Sequence, residues 1–339
     1  MKRLLCLLLC WPLTALAAAP SDCLSAAPVP MLVQIGATAP RPVLLIGGSA
    51  PAVRIIDRDS GEVLWAAGSS TPATQRFAAM TAAFAGGFIA LDTDMDGLQD
   101  RIYGGDMDGR LWRFDLANGA PADAWVSGGI FADFSNDAGR GFLAPPDVSL
   151  AAAPGMAPWF HIAIGTASPG RSAASNRFYV LRDPAPFESW TDQQYSDWQP
   201  LHEDELLRVD GAGEPAAGQI ESGWYLELNH GDVLSAALTV GGRTVFAVSE
   251  TSIDQAVGCR SAFSTATLAL AAGRIERDAS NIWRHRLDGD MALSSAFTLL
   301  TASDQQTPRA LCSFGDAHVA DCDVDLGPHR TWWRREDAE

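Results

Sequence analysis

The chain has 339 residues, 47% of them hydrophobic and 19% charged, so it can hold one large domain or two and is too apolar to be mainly disordered. It carries 24 Lys+Arg against 41 Asp+Glu, a formal net charge of −17, which repels phosphate backbones and argues against nucleic acid or anionic lipid as partners. Its 31 Gly and 20 Pro are scattered, which favours many turns over long helices.

Residues 1–19 read as a signal peptide. Lys2 and Arg3 form a basic head, an apolar run follows from Leu4 to Leu16, and Ala15-Leu16-Ala17 offers an A-x-A cleavage site. The run is short for a bilayer span, and no second one follows, so no transmembrane segment is expected. Cys10 follows Leu9 and Cys23 follows Asp22, neither of them the small residue a lipidated cysteine needs. Lys2 is the only lysine, and its loss with Arg3 leaves 22 cations against 41 acids. The expected location is the periplasm, the outer-membrane surface or an exported appendage. Cys23, Cys259, Cys312 and Cys322 then remain, an even number in an oxidising compartment.

Residues 20–39 read as an N-terminal extension, and regular pattern begins near residue 40. Pro42–Gly48, Val53–Asp57 and Asp59–Trp65 alternate apolar residues with Gly and Asp turns, as half-buried strands do. The phrase returns at Asp100–Asp106 and Gly109–Asp115, closed by Asn118-Gly119 and followed by Trp125. Looser copies run through Phe160–Thr166 and Arg177–Asp183, Thr244–Val248 and Ala266–Leu270, and Arg309–Asp316 and His318–Val324. Residues 121–150 and 183–222 read as loops, the second acidic and rich in Trp. A repeat of roughly 40–60 residues holding several strands predicts propeller blades. The expected fold is therefore all-β, one modified β-propeller of about seven blades over residues 40–336.

One segment carries chemistry. Asp92-Thr93-Asp94-Met95-Asp96-Gly97-Leu98-Gln99-Asp100 fits D-x-D-x-D-G-x-x-D. Carboxylates at alternate positions of a tight loop converge on one point, and Gly97 permits the positive φ such a turn needs. The predicted ligands are Asp92, Asp94, Asp96, the Leu98 carbonyl and Asp100. Hard oxygen donors in a flexible loop favour Ca²⁺ over the smaller, strictly octahedral Mg²⁺. The pattern is the front of an EF-hand loop, set here between two strands. The plainer alternative is an acidic, solvated turn.

Other features are weaker. Asp106-Met107-Asp108-Gly109 and Asp288-Gly289-Asp290 read as hairpin turns. The six histidines show no metal-ligand spacing, and no C-x-x-C, G-x-S-x-G or P-loop occurs. Trp332-Trp333 reads as aromatic closure of the last blade. Cys312 and Cys322 lie symmetrically about Ala317, so a hairpin there would pair them, and Cys23 would meet Cys259 by elimination. Free thiols with one local bridge are the alternative.

The run from Ile89 to Asp106 and on through Leu111-Trp112-Arg113-Phe114-Asp115-Leu116 resembles the signature of the PilC/PilY C-terminal domain, from type IV pilus tip-associated adhesins and assembly factors. Ala144–Val148 with Ile164-Gly165-Thr166, Gly223–Leu228 with Gly231–Ser235, and Arg330–Arg334 are similar to later family segments, in order. The resemblance implies a modified β-propeller without enzymatic activity, whose Ca²⁺ governs pilus assembly, retraction and adhesion. It implies minor pilins or other type IV pilus components as partners, with a host or surface ligand beside them, at the pilus tip or outer surface. No Arg-Gly-Asp tripeptide is present to support integrin-type adhesion. Two competing readings stand next to this one. One is an envelope scaffold with structural calcium. The other is a quinone-dependent dehydrogenase propeller, whose repeats the Asp57…Gly61…Trp65 phrase is close to.

Overall fold

Short alternating segments joined by Gly and Asp turns fold as antiparallel meanders. The computed structural model describes residues 26–48, 52–70, 73–135, 139–152, 155–168, 176–209, 221–228, 231–240 and 243–249, and beyond them the backbone of strands between 260 and 325. The leader, three of the four remaining cysteines, Asp288–Asp290 and Trp332-Trp333 lie outside the described residues, as does the side chain of Cys312.

The first sheet runs β1 (Val29–Val33), β2 (Arg41–Gly47), β3 (Ala52–Asp57) and β4 (Val63–Gly68), with β5 (Gln75–Arg76) added parallel to β4. The second runs β6 (Phe88–Leu91), β7 (Arg101–Gly105), β8 (Arg110–Leu116) and β9 (Val126–Asp133). The third places β10 (Asp147–Ala151), β11 (Trp159–Gly165) and β12 (Asn176–Asp183) beside β14 (Gly223–Leu228), with β13 (Leu207–Val209) parallel on the outside. The fourth holds β15 (Leu238–Val240), β16 (Arg243–Ser249) and β18 (Phe263–Ala271), with β19 (Arg274–Ile275) and β20 (Trp283–Arg286) both on β18. β17 (Arg260–Ser261) and β21 (Met291–Ala292) make a two-stranded ribbon. The last sheet joins β22 (Phe297–Asp304) to β23 (Thr307–Phe314), which pairs with β24 (Ala317–His318) and β25 (Val324–Asp325).

The chain is thus all-β and meandering, as the alternation predicted. The expectation of about seven blades compares with five sheets of four or five strands among the described residues. β1 pairs with β2 inside the stretch read as an extension, so the first sheet begins before residue 40. The chain folds back near the expected hairpin, but Ser313 faces His318 and Phe314 faces Ala317, so Ala317 and His318 stand on a strand and Ala317 is not the centre of that pairing.

The inner strands β7, β8 and β11 are buried on both faces because sheets pack against sheets on either side of them. On β8, Trp112, Phe114 and Leu116 point into a layer shared with Met31, Leu45 and Trp65 of the first sheet. Leu111, one residue out of phase, points into a second layer with Ile162, Ile164 and Tyr179 of the third. A third layer joins Phe178 and Trp224 of the third sheet to Phe246 of the fourth, and the Phe178 and Phe246 rings stack at 3.7 Å. A side chain such as Phe114, fully buried, contributes about 3–5 kcal/mol relative to Ala.

Residues 121–150, read as a loop, contain β9. Gly128 and Gly129 hid it, since glycine weakens a strand signal. Both are required by packing: a Cβ on Gly128 would lie 2.3 Å from the Phe114 ring, and one on Gly129 would lie 2.8 Å from Tyr195.

The acidic insertion after β12 closes the outer edge of the second sheet. Thr191 caps a short helix, α1 (Asp192–Asp197), through a capping box with Gln194. Leu201 then bonds to β9: its N–H donates to the Phe131 carbonyl at 3.1 Å, and its carbonyl accepts from the Asp133 N–H at 2.9 Å. That covers an edge which would otherwise offer free ladder groups.

Candidate metal centre

The acidic loop connects β6 to β7. Its ends are fixed by strand bonds: the Asp100 N–H donates to the Leu91 carbonyl, and the Leu116 N–H to the Asp100 carbonyl, both at 2.7 Å. Its tip is a run of Asx turns. Asp92 accepts from the N–H groups of Met95 (2.6 Å) and Gly97 (2.8 Å). Asp94 accepts from the Asp96 N–H at 3.1 Å, and Asp96 from the Leu98 N–H at 2.8 Å. Gly97 has φ 93°, as its place in the motif demanded, and Met95 has φ 64°, unusual for a side-chain-bearing residue.

Asp92, Asp94 and Asp100 each bring a carboxylate oxygen within 4.8 Å of the others. Asp96 stays outside this trio and is exposed. Leu98 is buried, which pins the loop between its tip and Asp100. Asp100 is the most enclosed of the three carboxylates. Burial raises its pKa above the ordinary carboxylate value, bonds from Thr93 oppose that, and the charge of Asp94 adds to it. A carboxylate has about four lone-pair sites, so bonds to backbone N–H groups leave room for a cation. The donor set is all oxygen and suits a hard divalent ion.

Sequence reasoning missed the residues that hold these carboxylates. Thr93 donates to Asp100 through its N–H (2.7 Å) and hydroxyl (3.0 Å). Asn118, read only as a turn residue, donates to the other Asp100 oxygen at 3.2 Å. The Asn-Gly turn was the visible signal. Its partner, 18 residues away, was not.

A second carboxylate group begins one residue further on, between the second and third sheets. Asp115 accepts from Arg101 Nε at 2.7 Å, Arg113 Nε at 3.1 Å and the Tyr195 hydroxyl at 2.5 Å. Asp183 accepts from Arg113 at 2.7 Å and from the Tyr103 hydroxyl. Arg101 also donates to the carbonyls of Ala185, Pro186 and Glu188, and Arg113 lies 3.9 Å over the Trp190 ring. Burial raises the Tyr103 and Tyr195 phenols well above their ordinary pKa, so both act as donors. This group staples the insertion to the sheets.

Asp106-Met107-Asp108-Gly109 is a turn, as expected. Asp106 accepts from the N–H groups of Asp108 and Arg110 and from the Trp112 indole, and Gly109 has φ 88°. The Asp57…Gly61…Trp65 phrase is also structural. Asp57 accepts from the Asp59 and Ser60 N–H groups, Gly61 has φ 74°, and Trp65 packs edge-on against Phe114 of the next sheet. Asp115…Gly119 repeats the Asp-to-Gly spacing, with Gly119 at φ 83°, and Trp125, two residues later than the first phrase would place it, is buried. Of the histidines, His161 is packed: Nε2 lies 3.2 Å from the Thr244 hydroxyl, and burial lowers its pKa to about 4.

The meander of sheets packed face to face defines a propeller-type fold. The chain superposes on the C-terminal domain of PilY1 from Pseudomonas aeruginosa with a TM-score of 0.59 and 14% identity, over 86% of this chain and 70% of that one. The fold is therefore PilY1-like. Quinohemoprotein alcohol dehydrogenases from Comamonas testosteroni and Pseudomonas putida give a TM-score of 0.37 at 13% identity, with 39% and 37% of their chains covered. No protein-family model and no curated protein matches the chain. No helix among the described residues is long and apolar enough to cross a membrane.

Proposed function

We propose that this chain is a calcium-binding, type IV pilus-associated propeller that works by binding rather than catalysis. The observation that carries the reading is the Asp92, Asp94 and Asp100 trio in the β6–β7 loop of a PilY1-like fold. Asp92, Asp94 and Asp100 supply side-chain ligands, with Asp96 and the Leu98 carbonyl completing the shell. Bound Ca²⁺ supplies the positive charge that these carboxylates lack. The chain's own residues aim the oxygens: Thr93 and Asn118 hold Asp100, and the Met95 and Gly97 N–H groups hold Asp92. The Asp57…Gly61…Trp65 phrase, close to dehydrogenase repeats, has turn and core duties in this chain.

On this reading the partners are minor pilins or other type IV pilus components, with a surface or host ligand beyond them. The chain acts outside the cytoplasm, at the outer surface or pilus tip, in assembly, retraction control and adhesion. The test is a clean deletion in a strain with no paralogue, complemented by wild type or Asp94→Ala. The expected result is reduced surface piliation or twitching, restored by wild type and altered with the loop variant. Normal piliation and motility in the deletion contradicts the reading.

A further inference from the structure

Two side chains that coordinate nothing fasten the acidic loop to the first sheet. Gln99 lies between the last two loop ligands. Its N–H donates to the Leu32 carbonyl at 3.0 Å, and its Oε1 accepts from the Leu32 N–H at 2.6 Å. Leu32 sits on β1, an edge strand of the first sheet, whose strand partner among the described residues is β2. Its outward N–H and C=O are thus closed by a residue of the loop, much as a neighbouring strand would close them.

Asn118 makes the second fastening. Its Nδ2 donates to Asp100 Oδ1 at 3.2 Å and to the Gln99 carbonyl at 3.1 Å. Its Oδ1 accepts from the Gln34 N–H at 2.9 Å, just past β1. Beside it, the Gly119 N–H donates to the Gln34 carbonyl at 2.9 Å, and the Gly36 N–H to the Ala120 carbonyl at 2.7 Å. The Asn118 amide is planar, so its donor end on the carboxylate and its acceptor end on the first sheet move together. Thr93 holds the other Asp100 oxygen from within the loop. Asp100 is therefore aimed by one internal contact and one that answers to β1.

We propose that Asn118 is a positioning residue for Asp100, and that with Gln99 it couples cation binding by the loop to the docking of strand β1. The proposal rests on the calcium reading of the loop. Outer-shell partners that orient a ligand typically change metal affinity by about 10–100-fold when removed. Coupling is reciprocal, so the factor by which docked β1 raises cation affinity is the factor by which the cation favours docked β1.

The test uses the full chain, with calorimetric titration of CaCl₂ and amide exchange followed by NMR in calcium or EDTA. The Leu32 and Gln34 amides donate to side-chain acceptors on Gln99 and Asn118, so their exchange reports on the fastening itself. In wild type, calcium is expected to slow both amides. Asn118→Ala should weaken Ca²⁺ binding about 10–100-fold and remove the calcium effect at Gln34. Gln99→Ala should remove it at Leu32, and this variant with the wild-type exchange carries the test if Asn118→Ala does not fold. Wild type that binds Ca²⁺ with both amides unchanged, or variants that bind as wild type does, would overturn the coupling and leave the calcium reading intact. Wild type with no Ca²⁺ heat would sink that reading and the coupling with it.

Discussion

Two groups of acids lie next to each other on the second sheet, and they are neutralised in opposite ways. Asp115 and Asp183 are 1% and 0% exposed in their side chains and face Arg101 and Arg113, equally buried. Their counterions are part of the chain. Asp92, Asp94 and Asp100 converge to within 4.8 Å, and among the described residues no arginine lies within salt-bridge distance of them. Asp100 and Arg101 are consecutive, yet Asp100 bonds to Thr93 and Asn118 while Arg101 turns to Asp115 and the insertion. Like charges held this close raise the cost of ionising one another, so the loop suits an added hard cation. The buried cluster is matched by arginines of the same chain, and its chemistry is used to hold sheets together.

The largest effect should come from breaking the built-in pairing. Asp183→Ala leaves Arg113 and the Tyr103 hydroxyl without their carboxylate in a dry interface. The expected loss is about 3–5 kcal/mol, equal in calcium and in EDTA, measured by urea unfolding. A loss that appears only in calcium would mean that the two clusters are one.

The next effect is acid sensitivity that belongs to neither cluster. His161 has a folded pKa of about 4, below the ordinary 6.5. The unfolded chain therefore takes up this proton first, and stability falls as pH drops from about 6.5 to about 4, by about 3 kcal/mol in total. Asp100 has the opposite sign. Its raised pKa penalises the folded state at neutral pH, and the penalty eases as pH falls through that pKa toward the ordinary value. His161→Asn should flatten the acid loss in EDTA. A slope unchanged by that substitution would place the titration elsewhere.

Calcium itself comes next. At a hundredfold excess over Kd, ion binding to the native state alone adds about 3 kcal/mol. Asp94→Ala should abolish the calcium-dependent part of the melting temperature and leave the stability in EDTA equal or slightly higher. The smallest effect expected is that of Asp96→Ala. Asp96 lies outside the trio and bonds to the Leu98 N–H, so its loss should weaken Ca²⁺ binding less than loss of Asp92, Asp94 or Asp100. Equal losses at all four positions would mean that the bound loop draws Asp96 fully inward.

The same contrast explains what the sequence made legible. The convergence of loop carboxylates could be read because they are local, within the nine residues from Asp92 to Asp100, with Gly97 marking the turn. Hairpins such as β7–β8 were legible for the same reason. The buried cluster was not, because Tyr103 and Asp183 are 80 residues apart, and Arg101 and Arg113 read only as strand residues. β9 was lost to Gly128 and Gly129, whose missing side chains are a packing requirement of Phe114 and Tyr195. The part that Asn118 plays follows only once the first and second sheets are in place.

The central claim is that the loop carboxylates are waiting for a cation that the chain does not supply. Calorimetric titration of Ca²⁺ into the metal-free full chain tests it most directly. The account predicts saturable binding near one ion per chain for wild type, none for Asp94→Ala, and unchanged binding for a surface control such as Asp123→Ala. Wild type that gives no heat, or Asp94→Ala that binds as wild type does, would contradict it.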